Sequence, residues 1–264
     1  TVSSDGIDPV SVTVHGDLVY VANQGSAAGG SNLSGFVLTP FGQLYPLPNS
    51  TVALPTGATA GDVLFNGDGT KLIATLVGPS EIESYTVGWN GHLTAAPGSP
   101  FAGQGLGSFG SAFRPTNPDQ LFVSNPHNGT GLGTVSAFND SWNGTLNSIG
   151  TSPFADDQTA PCWVAITPNG QELFAVNTGS GSVSRYAIAP SGSLTLLGST
   201  PVSNEGGVGA TDAAVSPEGG FLYVNESKAG AIGTFAITGG NLTELAGSPT
   251  TLPAGATPAG IAVS

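Results

Sequence analysis

Apolar residues along this chain come in short alternating runs, not in the three- and four-residue spacing of a helix. Five runs match one another: "LVYVANQG" from Leu18, "KLIATLVG" from Lys71, "QLFVSNPH" from Gln120, "ELFAVNTG" from Glu172 and "FLYVNESK" from Phe221. Alternation over five or six residues, rich in Val, Phe, Tyr and Leu, predicts strands. Each run is preceded by a second strand-like segment that ends in a turn, such as "VAITPNGQE" over 164–172 and "AAVSPEGGF" over 213–221. Each is followed by a third, namely "LSGFVLT", "IESYTVG", "TVSAFND", "SVSRYAI" and "AIGTFAI", and then by a short turn and a fourth, as in "GHLTAAPGSP" or "GSLTLLGSTP". We label these strands a, b, c and d in chain order.

The unit of four strands recurs at about fifty residues, a period that marks propellers and solenoids. One four-stranded sheet exposes two apolar faces and is not stable alone, so stacked copies must bury each other's faces. The expected fold is therefore all-β. It is a β-propeller of four-stranded antiparallel blades in a single domain, with blades at about 7–58, 59–107, 108–160, 161–208 and 209–253. Strand a occurs once more in "ATPAGIAVS", so 254–264 is expected as a closing strand. Asn and Gly at the a–b and c–d turns (Asn90-Gly91, Asn143-Gly144, Asn169-Gly170) are expected to supply the positive φ of hairpin turns.

The segments "LYVNESKAGAIGTFAITGGNLTELAGSP" and "LFAVNTGSGSVSRYAIAPSGSLTLLGSTP" resemble the YVTN-type repeats of lactonase-like seven-bladed propellers. That family includes the propeller-type 6-phosphogluconolactonase and the 3-carboxy-cis,cis-muconate lactonizing enzyme. "DPVSVTVHGDLVYVANQG" and "APCWVAITPNGQELFAVNTGSGSVSRY" resemble its secreted members. The resemblance implies a seven-bladed pattern, of which five blades and one strand are present here, and a separate N-terminal fragment that completes the ring; the other reading is a compact ring with a spare strand. It also implies lactone hydrolysis or a muconate-type cycloisomerisation, without a cofactor.

Composition narrows the partners. The net charge is −13 with only four Lys plus Arg, which leaves no basic footprint for nucleic acid or an anionic membrane. Scarce lysine, the absence of methionine and seven N-x-S/T sequons, at Asn32, Asn49, Asn128, Asn139, Asn143, Asn225 and Asn241, point to a processed glycoprotein that is secreted, extracellular or cell-wall associated. The single cysteine, Cys162, excludes an internal disulfide. No spacing of His, Cys and carboxylates matches a metal site.

Propeller sites form where the starts of strand a and the b–c loops converge at one end of the channel. Aligned on strand b, Asp62, Trp163 and Asp212 take equivalent positions at that mouth, with Asp8 and Cys162 one residue earlier. Asp62 and Asp212 are candidate acid and base, or else carboxylates that hold backbone N–H groups. Trp163 is a candidate stacking platform or a channel plug. His127 is the third catalytic candidate, while Lys228, Cys162 and Asp8 are candidates for substrate binding; a buried inert thiol is the other reading of Cys162. Asp156, Asp157 and Glu205 fall on d-to-a connections at the same end. Two functions remain open: a lactonase or cycloisomerase acting on a small cyclic ester, and a non-catalytic propeller that binds a glycan or protein.

Overall fold

The structure is a computed structural model and describes residues 1–26, 30–202, 209–256 and 258–263; Glu205 lies outside them. Among these residues there are five antiparallel sheets, one turn of 3-10 helix and no α-helix. The first sheet holds β1 (Pro9–His15), β2 (Leu18–Asn23), β3 (Asn32–Leu38), β4 (Leu44–Pro46) and β5 (Val52–Ala53). The second holds β6 (Ala60–Phe65), β7 (Lys71–Leu76), β8 (Glu81–Val87), β9 (Leu93–Ala95) and β10 (Phe101–Ala102). The third holds β11 (Ser111–Arg114), β12 (Asn117–Asn125), β13 (Thr134–Asp140), β14 (Leu146–Ser148) and β15 (Phe154–Ala155). The fourth holds β16 (Pro161–Ile166), β17 (Glu172–Asn177), β18 (Ser182–Ile188) and β19 (Leu194–Pro201). The fifth holds β20 (Ala210–Val215), β21 (Phe221–Glu226), β22 (Ala231–Thr238), β23 (Asn241–Glu244) and β24 (Thr250–Thr251). Consecutive strands pair in the order a, b, c, d, which is the wiring of propeller blades.

Strand d departs from the simple pattern. In four sheets it breaks in two, and both pieces pair with strand c, as β4 and β5 do with β3. A serine hydroxyl replaces the missing ladder bond at each break. Gly35 N donates to Ser50 Oγ (3.0 Å), Ser84 N to Ser99 Oγ (3.0 Å), Ala137 N to Ser152 Oγ (2.7 Å) and Thr234 N to Ser248 Oγ (2.8 Å). The fourth sheet instead keeps β19 continuous through a register shift opposite Arg185 and Tyr186.

The turns correct one expectation. Glycine does supply the positive φ, at 81° for Gly91 and 83° for Gly144, but the preceding asparagines are not in that region. Asn90, Asn143 and Asn169 act through their side chains: each Oδ1 accepts a backbone N–H two residues on, from His92 (3.2 Å), Thr145 (3.2 Å) and Gln171 (3.0 Å).

The chain divides into two compact units, one of 1–110 with 139–147 and the other of 111–138 with 148–264. The first is built on a core that includes Tyr20, Leu33, Val63, Leu72, Leu76 and Tyr85. The second has two clusters, one around Phe174, Val224 and Phe235, the other around Phe122, Val135 and Tyr186. The closing strand expected over 254–264 is not formed among the described residues of that segment. A strand needs a ladder partner, and the segment is held instead through Ile261 N, which donates to Asp212 Oδ2 at 2.9 Å.

Candidate active site

Strand a opens with an irregularity in four of the five sheets: between Pro9 and Ser11, Ala60 and Val63, Pro161 and Trp163, and Ala210 and Asp212. Such bulges turn a side chain away from its ladder position and concentrate beside functional sites. The candidate residues sit on them. In the first unit, Asp62 lies within the bulge and is 3% exposed. Ser11 Oγ donates to its Oδ1 at 2.8 Å and in turn accepts Val63 N at 3.1 Å. Asp62 N donates to Thr75 Oγ1 (2.9 Å), which donates to Phe109 O (2.7 Å). Strands a of the first and second sheets are thus laced together by hydroxyls around the carboxylate. Asp8, in the same unit, is exposed, with φ at 57° and its carbonyl accepting Gln24 N at 2.9 Å.

In the second unit, Cys162 is the bulged residue of β16 and Asp212 follows the bulge of β20. Asp212 is 7% exposed and accepts Ala213 N at 2.7 Å as well as Ile261 N. Thr178 brings the two strand openings together. Its hydroxyl donates to Ala210 O at 2.5 Å, and it hydrogen-bonds the Cys162 thiol. Burial nevertheless pushes that thiol up from its ordinary range, so Cys162 is not an activated nucleophile. Trp163 is half-buried and packs on the apolar cluster that contains Ala210 and Ala213, leaving one part of its indole in contact with solvent. His127 is exposed on the 3-10 turn Pro126–Asn128, and Lys228 is exposed on the turn after β21.

One pair escaped the sequence reading. Asp156, 1% exposed, follows β15, and Tyr186 Oη donates to its Oδ1 at 2.9 Å and to Ala155 O at 3.0 Å. Burial raises the Asp156 carboxyl to about 6, with the nearby Asp157 adding to the effect and the Ser184 and Tyr186 hydroxyls opposing it. A repeat comparison carried the signal. Where the first two sheets continue "VAL" and "FAG", the third continues "FAD", placing a carboxyl where the others have Leu54 and Gly103.

The four cations have structural occupations, with one exception. Lys71 is 3% exposed and donates to Asp140 O at 2.7 Å, with the Asp140 carboxylate 3.8 Å away. Arg114 is 8% exposed and donates to Gly170 O (2.7 Å), Gln120 Oε1 (2.8 Å) and Ala189 O (2.9 Å). Arg185 donates to Gly240 O and to Asn241 Oδ1. Only Lys228 extends into solvent. Of the sequon asparagines, Asn49, Asn139 and Asn241 are exposed, and Asn32, Asn128 and Asn143 are half-buried. Asn225 is fully buried in β21, which corrects its expectation as a glycan acceptor, because the folded strand leaves no room for a sugar.

Three comparisons place the chain. No curated protein matches it. A solved structure of a provisionally assigned 6-phosphogluconolactonase from Bacteroides fragilis superposes with a TM-score of 0.76 at 21% identity, covering 92% of this chain and 70% of that one. Its counterpart from Bacteroides uniformis gives 0.74 at 21% identity, covering 91% and 70%. The periplasmic gluconolactonase of Pseudomonas aeruginosa gives 0.72 at 20% identity, covering 95% and 74%. These likenesses carry the fold. The family model described as "Lactonase, 7-bladed beta-propeller" matches residues 120–258, more than half of the sequence, and the chain therefore belongs to the lactonase family of seven-bladed β-propellers.

Proposed function

We propose that this lactonase-like propeller hydrolyses a small, uncharged cyclic ester, and that it does so outside the cell. The observation that carries the substrate class is the occupation of the cations. A phosphorylated or carboxylated lactone needs Arg or Lys to receive it, and three of the four here are spent on the protein's own carbonyl and side-chain oxygens. Sugar lactones without an anionic group remain. Buried carboxylates at the openings of strand a, Asp62 supported by a hydroxyl and Asp212 by backbone N–H groups, supply the base. A water oxygen would attack the ring carbonyl carbon while Asp62 or Asp212 takes its proton. The ring C–O bond then breaks and the departing alkoxide recovers a proton, giving the open hydroxy acid. Within the second unit, beside Asp212, His127 would serve as the exchanging acid from the loop side, Trp163 would bear on the sugar ring, and Cys162 and Lys228 would border it; within the first unit, Asp8 would accompany Asp62.

The test is a panel of neutral and anionic sugar lactones assayed against the wild type, Asp62→Asn, Asp212→Asn and the double variant. Asparagine keeps the acceptor that Ser11 uses on Asp62 and one of the two that Ala213 and Ile261 use on Asp212, so circular dichroism of each variant is the check that the fold is retained. We expect turnover of neutral lactones and a loss of about 100-fold or more in kcat for the variant that removes the base. Inertness of the wild type on every lactone, or unchanged rates in the double variant, overturns the proposal. Secretion is supported by the exposed sequons, and a mass increment at Asn49, Asn139 or Asn241 in native material is its check.

A further inference from the structure

Three aromatic side chains on the c–d turns of the first three sheets stand almost wholly in water: Phe41 at 90% exposure, Trp89 at 100% and Trp142 at 89%. Indole is the side chain that gains most from burial, and a fully exposed tryptophan is uncommon in a folded protein. Two of them on equivalent turns are less easily put down to chance than one. All three turns share one geometry. The first residue donates its N–H to the fifth and accepts from the fourth, as in Thr39–Gln43, Gly88–His92 and Ser141–Thr145.

The turns also lie in step along one rim of the first unit. The Trp89 turn rests on the first sheet: Tyr20 Oη donates to Gly91 O at 2.9 Å, and His92 Nε2 lies 2.9 Å from Pro48 O. The Trp142 turn rests on the second sheet. Lys71 Nζ reaches Asp140 O there, and a Cβ at Gly144 would lie 2.8 Å from Ala96 Cβ. The rings are therefore borne on rigid, mutually braced supports. Neutral polar groups accompany them. Asn90 and Asn143 sit next to the two tryptophans with Oδ1 engaged in the turn, which leaves Nδ2 as the outward donor. Tyr45, 56% exposed, lies beyond Phe41 with its hydroxyl on Gln43 Oε1 at 3.1 Å. The equivalent turns of the fourth and fifth sheets carry Pro190-Ser191 and Gly239-Gly240, so the aromatic row ends at Trp142.

We propose that this rim is a binding platform for a neutral polysaccharide, separate from the strand-a openings and independent of the hydrolase reading. Apolar rings flanked by uncharged amides match a sugar, which offers C–H groups on its face and hydroxyls on its edge. A net charge of −13, with Lys71 and Arg114 buried, disfavours polyanions and anionic lipid at this surface. Rings carried on three successive sheets suit an extended chain of several sugars better than a monosaccharide.

The experiment uses protein freed of N-linked sugar, since Asn143 adjoins Trp142. It measures retention on cellulose, chitin, a soluble β-1,3-glucan and a mannan, alongside phosphatidylcholine vesicles and size-exclusion chromatography. Trp89→Ala and Trp142→Ala remove rings that touch no core, and Trp89→Phe keeps a ring. We expect retention on at least one polysaccharide, about tenfold weaker in each alanine variant, lost in the double variant and partly kept by Trp89→Phe. Ligand should alter tryptophan fluorescence in the wild type and leave the Trp163 signal of the double variant unchanged. No retention, retention indifferent to the rings, ring-dependent vesicle binding or ring-dependent self-association each overturns the proposal.

Discussion

Asp156 shows how one carboxyl can work against the fold at neutral pH. Its proton is held up to about 6, above the ordinary carboxylate range, chiefly because burial penalises the charge. A group whose folded value is raised contributes stability that is fully present below its unfolded value and is lost as pH rises through the folded value. The window here runs from about pH 4 to about pH 6, and its size is on the order of 2–3 kcal/mol. Asp156→Asn fixes the uncharged form. It should match the wild type near pH 3.5 and exceed its urea midpoint at pH 7.5; a wild type that shows no such relative loss would exclude the effect. The carboxyl was visible in the sequence, but its partner was not. Nothing local connects Asp156 to Tyr186, thirty residues on, and the burial that sets its proton affinity is a property of packing.

At the level of the element, strand b explains why the repeat was so readable. The sixth position of four of the five runs is Asn23, Asn125, Asn177 or Glu226, all fully buried polar residues, with Leu76 as the exception. In the fourth sheet Asn177 Nδ2 donates to Ser182 Oγ (3.1 Å) and Ser184 Oγ (2.9 Å), tying strand b to strand c by side chains as well as by the ladder. Removing it takes the donated N–H from two buried hydroxyls, which keep their bonds to Gln158 and Asp156, so Asn177→Ala should cost about 1–3 kcal/mol in chemical denaturation. A cost below a few tenths would mean that the ladder alone carries the pairing. The alternation and the turn glycines made strands a, b and c legible, because period and turn chemistry are local. The split of strand d was not, since it depends on serines such as Ser99 meeting a backbone N–H fifteen residues away. The bulges that seat Asp62 and Cys162 escaped for the same reason, because register is a relation between two strands.

At the scale of the whole molecule, the described residues form five sheets where the family description gives seven blades, and the chain spans 70% to 74% of the compared structures. The number of sheets was legible because it is a count of repeats. The fate of the positive charges was not. Arg114 is fixed by Ile188 and Ala189, more than seventy residues downstream, and no spacing rule foretells such a partner.

The confinement of Lys71, Arg114 and Arg185 has a consequence for degradation. Trypsin cuts after Lys or Arg except before Pro, so with Arg114 followed by Pro115 it finds three sites in the sequence, of which Lys228, on an exposed turn, is the one open in the folded state. Limited trypsin treatment should give a single nick after Lys228, leaving fragments 1–228 and 229–264 that co-elute because β22 remains laddered to β21. Mass spectrometry of the digest reads the result directly, and early cuts after Lys71 or Arg185 would show that those side chains are not held as described. A protein built this way is nearly indifferent to trypsin-like digestion while folded.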